Sequence, residues 1–80
     1  MISPKYSYNL YVEIFTKRLN KLIKDSKTTK YKVAKELGCS KQSVCNWCNG
    51  TSEPTITYLR KLAVLFNESA DYLLGLSDDL

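Results

Sequence analysis

Residues 33–50 read V-A-K-E-L-G-C-S-K-Q-S-V-C-N-W-C-N-G, from Val33 to Gly50, and this stretch decides the fold. Two short helical patterns meet in it, with only Gly38-Cys39-Ser40 between them. The first has Val33, Ala34 and Leu37 on one apolar face, and Thr29 is well placed as its N-cap. Gly38 adopts the left-handed conformation easily, which ends that helix and turns the chain sharply. Ser40 then caps a second helix from Lys41 to about Cys48, which Asn49-Gly50 terminates. Helical spacing turns Val44, Trp47 and Cys48 inward and Lys41, Gln42 and Asn46 outward. So short a connection holds the two helices near a right angle. Ala34 matters there, because a larger side chain would push them apart. A short helix braced by its neighbour and showing ammonium and amide groups is built to reach into a partner.

Outward from this unit, the chain reads as helix throughout. Tyr11, Phe15, Leu19, Leu22 and Ile23 recur at helical spacing, with Lys17, Arg18, Lys21 and Lys24 on other faces. This predicts an amphipathic first helix of about four turns, ending in Asp25-Ser26-Lys27-Thr28. Glu53-Pro54-Thr55 makes a turn and caps a fourth helix in which Ile56, Leu59, Leu62, Ala63 and Phe66 share a face. Ser69 caps a last helix, Ala70 to Leu74, stopped by Gly75. No segment sustains strand alternation. The expected fold is all-α, a compact bundle of five short helices around one core.

Eighty residues allow one small domain that buries about 60–65% of the unfolded chain's surface, which leaves little room for an enzyme cleft. There is no histidine, and with it go the commonest general base and the commonest metal ligand. Neither a phosphate-binding glycine loop nor paired carboxylates suggest an enzyme, and no cofactor is expected. No apolar run reaches the ~18 residues of a membrane span, and the first residues lack a signal-peptide stretch, so a cytoplasmic protein is expected. The net charge is +4, unevenly spread: nine cations from Lys17 to Lys41 face only Asp25 and Glu36, a local charge of +7. The end carries Glu68, Asp71, Asp78 and Asp79 with no cation after Lys61. A lysine run alone is usually a solvated face; beside the two-helix unit it favours a polyanionic partner.

Taken together, these residues resemble the Cro and phage-repressor type of helix-turn-helix domain, the xenobiotic-response-element family with its lambda-repressor-like fold. The elements that carry the resemblance are Val33-Ala34, Gly38, Val44, Trp47-Cys48-Asn49-Gly50, Pro54, Leu62-Ala63 and Asp71-Tyr72-Leu73-Leu74-Gly75. They span about Phe15 to Gly75, leaving 1–14 as an N-terminal extension with the start of helix one and 76–80 as an acidic tail. The resemblance implies a transcriptional regulator, most simply a repressor, that lays its third helix in the major groove of double-stranded DNA. Carried over by position, Lys41, Gln42 and Asn46 would read bases, with Cys45 at the margin. Gln and Asn suit adenine N6 and N7, and Lys suits guanine O6 and N7. Thr29, Lys30, Ser40, Ser43, Asn49 and Thr51 would contact phosphate, which positions without reading sequence. For Thr29 and Ser40, capping alone is the plainer alternative. Lys30 stands where the family usually has Gln.

Family members usually pair to bind two half-sites, which implies a homodimer on a two-fold operator. The last two helices are the expected self-association surface. Phe66 and Leu73 are expected to finish the core, and Tyr72 and Leu76 to remain for the interface. Residues Met1 to Leu10, with Tyr6 and Tyr8, are compatible with a longer first helix, an arm or a partner-packing segment. An antitoxin-like or scaffold module with secondary or no DNA binding is the alternative function.

Two departures stand out. The family commonly buries an ion pair between an Arg in helix one and the Glu of Trp-Glu-Asn-Gly. Here those positions are Ile23 and Cys48, both apolar, so the two are expected to meet in the core. The cysteines Cys39, Cys45 and Cys48 are clustered and odd in number; they suggest neither a disulfide framework nor, without a fourth ligand, a zinc site. Cys39 and Cys48 read as small core residues. Cys45, on the outward side, would be the reactive thiol if the protein sensed redox state.

Overall fold

A computed structural model describes residues 4–77, with side chains from Leu10 onward. The Tyr6 and Tyr8 side chains and the Asp78-Asp79 pair lie outside the described residues. The elements are α1 (Pro4–Asp25), α2 (Lys30–Leu37), α3 (Lys41–Asn49), α4 (Ile56–Leu65) and α5 (Ala70–Leu74), with no strand among the described residues. None of the described helices is long and apolar enough to cross a membrane.

The expected all-α bundle is present, but α1 is longer than its apolar stripe suggested. It runs 22 residues, roughly 33 Å at 1.5 Å per residue. The apolar stripe that marks the helix in sequence begins at Tyr11, and the turns before it lie beyond that stripe. Pro4 suits the first helical position, where its missing N–H is no loss.

The core draws Phe15, Leu19 and Ile23 from α1 and Val33, Ala34 and Leu37 from α2. From α3 come Val44, Trp47 and Cys48, with Leu62, Tyr72 and Leu73 closing it from α4 and α5. Phe66 packs at its edge. Ile56 departs from expectation: it is 74% exposed. Six residues before Leu62, it lies about 120° around the helix from that fully buried side chain, at 100° per residue.

Two helices end on non-glycine residues in the left-handed region, Lys27 (φ 54°) after α1 and Asn67 (φ 53°) after α4. Asn tolerates this conformation locally; Lys does so at a cost. At the far end, the Arg18 guanidinium donates to the carbonyl of Tyr72 and, at 2.7 Å, to that of Ser77. It also lies over the Tyr72 ring, 4.3 Å from its centre. This clamp ties α5 to α1 and takes Tyr72 into the core, where it is 5% exposed. Tyr72 is therefore not available to a partner as expected, whereas Leu76 is exposed.

Candidate nucleic-acid interface

The two-helix unit is fixed from both ends of each helix. Thr29 Oγ1 accepts the Lys32 N–H at 3.1 Å, capping α2. Gly38, at φ 78°, then ends α2 with its N–H on the Ala34 and Lys35 carbonyls. Lys61 of α4 reaches over and donates to the Leu37 carbonyl at 3.2 Å, meeting the negative end of the α2 dipole. Ser40 caps α3 by accepting the Ser43 N–H at 3.1 Å, and the two hydroxyls lie 3.0 Å apart. Caps of this kind stabilise a helix by about 1 kcal/mol each.

The far end of α3 is held by α1. Thr16 Oγ1 donates to the Trp47 carbonyl at 3.4 Å, and Asn20 Nδ2 donates to the Cys48 carbonyl at 3.0 Å. Gly50, also left-handed, sits against Thr16 and Val12, and the Thr51 N–H returns to the Asn46 carbonyl at 2.9 Å. The inner face of α3 packs on Val44, Trp47 and Cys48, and the Trp47 ring lies 5.7 Å from that of Tyr58.

What remains outward is the face the sequence pointed to. Lys41 and Gln42 are exposed, and Cys45 and Asn46 half-buried beside them. Gln42 Nε2 donates to Asn46 Oδ1 at 2.9 Å, joining the two amides into one surface feature. Thr29, Ser40, Asn49 and Thr51 are exposed around this face, and Ser43 is half-buried against Ser40. Lys30 is half-buried close enough to α3 for its charge to act on the Cys48 thiol. The outer side of α3 and the turn after it thus form a polar surface, with the start of α2 close enough for the Lys30 charge to act on Cys48.

Sequence reasoning missed three contributors to that surface, all on α1. Thr16 and Asn20 brace α3, and Lys17 lines a shallow groove with Asn49 and Gly50. A faint signal was present: Asn is unfavourable inside a helix, yet Asn20 sits mid-α1 beside Leu19.

Burial raises the Cys48 thiol above its ordinary range, with nearby Lys30 pulling it back and Cys45 pushing it up. Burial raises Cys39 as well, with Lys61 opposing. Ile23 and Cys48 are both buried in the same cluster, where a lone charge would have had no water. Among the described residues no group of histidine, cysteine, aspartate or glutamate side chains is placed to hold a metal ion.

A family model described as helix-turn-helix matches residues 19–73, more than half of the chain. The chain belongs to the helix-turn-helix family. It is of the xenobiotic-response-element type, and its relatives are transcriptional regulators. This helix-turn-helix protein is 35% identical over 66 residues to YobD, an uncharacterized HTH-type transcriptional regulator of Bacillus subtilis (strain 168). That match covers 82% of this chain and 59% of YobD. A crystal structure of a transcriptional regulator from Listeria innocua superposes with a TM-score of 0.74 at 27% identity, covering 82% of this chain and 62% of that one. The solution structure of an SOS-response transcriptional repressor, LexA, from Eubacterium rectale gives 0.77 at 30% identity, covering 100% and 83%. The helix-turn-helix chain therefore spans about 59–62% of the length of the first two proteins.

Proposed function

We propose that this protein is a sequence-specific regulator, acting as a repressor, that inserts α3 into the major groove of an operator as a homodimer. The observation that carries the reading is the division of α3. Its inner side is locked into the core, and its outer side presents Lys41, Gln42 and Asn46 on a helix held at both ends. In this reading those three contact base edges, with Cys45 at the margin. Thr29, Lys30, Ser40, Ser43, Asn49 and Thr51 meet the flanking phosphates. Thr29 and Ser40 serve as caps at the same time, because a hydroxyl that accepts a helix N–H still has a proton to donate.

The self-association surface lies where α1 and α5 meet. Leu76 is exposed there, with Leu74 and Tyr11 also open to solvent and the Tyr11 ring against Gly75. A pair of subunits would supply the two copies of α3 that two half-sites one DNA turn apart require.

The test is the salt dependence of duplex binding. With Lys30 and Lys41 on phosphate or base in each of two subunits, the log–log slope of affinity against salt should be about −3 to −4. No duplex binding even at low ionic strength would overturn the reading and favour a scaffold role.

A further inference from the structure

Gln42 and Asn46 stand one helical turn apart on the outer side of α3, and the Gln42 amide donates to the Asn46 side-chain oxygen at 2.9 Å. Asn46 is the better anchored of the two. Its side chain is the shorter and half-buried, and its backbone is held where the main-chain carbonyl takes N–H groups from Thr51 at 2.9 Å and Ser52 at 3.4 Å. Gln42 is exposed and, without that bond, would be a long side chain sampling several rotamers.

One hydrogen bond does not exhaust either amide. Gln42 keeps Oε1 as an acceptor and a second N–H; Asn46 keeps both N–H donors. The pair therefore turns outward an acceptor beside donors, fixed relative to one another before any ligand arrives. Adenine presents the complement in the major groove, the N6 amino donor beside the N7 acceptor. Guanine presents O6 and N7, two acceptors, and would set O6 against Gln42 Oε1.

We infer that Gln42 and Asn46 read as a single unit selective for adenine over guanine, rather than as two independent contacts. The inference rests on the proposed DNA-reading role of α3. Removing either amide releases the other, so the loss of one removes most of what both provide.

A double-mutant cycle on duplex affinity tests this, using the duplex selected from a random library, a random-sequence duplex, and the selected duplex with 7-deazaadenine in place of adenine. Gln42→Ala and Asn46→Ala should each weaken the selected duplex by roughly 5–150-fold. The double variant should be no more than about threefold weaker than the worse single. Loss of N7 in 7-deazaadenine should weaken the parent protein and leave the double variant unmoved. Thermal melting of each variant confirms folding, since neither side chain belongs to the core. Losses that multiply across the cycle, with the random duplex unaffected, would overturn the unit while leaving base reading intact. Equal losses on selected and random duplexes would overturn base reading itself, and the unit with it.

Discussion

Replacing Cys48 by glutamate restores the residue type that the family commonly buries, but without its partner. Cys48 is 5% exposed, and Ile23, 8% exposed, occupies the partner position in the same cluster. Asn20, one turn before Ile23, donates to the Cys48 carbonyl at 3.0 Å, so this part of α1 lies directly along the end of α3. Stranding one member of a buried ion pair costs about 3–5 kcal/mol. A domain of 80 residues has a total stability of roughly 4–12 kcal/mol. Cys48→Glu alone should therefore remove at least a quarter of the stability and could unfold the domain. Ile23→Arg alone should cost about 2 kcal/mol, since its long stem packs while its head reaches for water. The double variant should recover at least about 2 kcal/mol relative to the sum of the singles.

Urea unfolding at neutral pH, followed by helix signal and by fluorescence of the buried Trp47, measures all four proteins. In Cys48→Glu, burial raises the pKa of the introduced carboxyl in the folded state above its unfolded value. The stability deficit of the single variant should thus be smallest in acid and grow as pH rises through that folded pKa. If the costs simply add, or if Cys48→Glu stays within about 1 kcal/mol of the parent, the reasoning about a paired apolar exchange is refuted.

Lys27→Gly should stabilise the domain by about 1 kcal/mol, because Lys27 sits at φ 54° and glycine takes that conformation freely; a shift in the urea midpoint reads it. Gly75→Ala should be destabilising by more than about 1–2 kcal/mol, since φ is 81° and the new Cβ would lie 3.1 Å from Ile14 and Tyr11 side chains. Lys30→Ala should weaken selected and random duplexes alike and flatten the salt slope by about one unit per subunit, as titration at several salt concentrations will show. Because Cys39 and Cys48 both have raised folded pKa values, their contribution is intact below the unfolded thiol pKa and lost as pH rises through the folded one. Unfolding midpoints should fall on the alkaline side of that range, and less steeply in Cys48→Ala.

The two-helix unit was legible because its signals are local. Thr29, Gly38 and Ser40 act on backbone groups within four residues, and Val44, Trp47 and Cys48 follow one helical period. The start of α1 was left open between helix, arm and partner-packing segment, because the apolar stripe begins only at Tyr11. Tyr72 was misassigned for a different reason: its burial depends on Arg18, which is 54 positions away in sequence. Nothing near Tyr72 announces that clamp. Ile56 keeps a helical spacing from Leu59, but its angle from the buried Leu62 decides its exposure. In the candidate interface, the outward residues follow from helical period alone. The braces from Thr16 and Asn20 exist only once α1 and α3 are packed, whereas the bond between the Gln42 and Asn46 amides spans one turn of α3 and was within reach of the i,i+4 spacing.

Whether α3 reads DNA sequence is decided by selecting binding sites from a random duplex library with the intact chain and with Gln42→Ala. The intact chain should enrich a two-fold repeat with half-site centres about one helical turn apart, near 10 base pairs. The adenine preference within each half-site should be lost in the variant. No enriched sequence, or the same motif recovered by both proteins, would contradict base reading by α3.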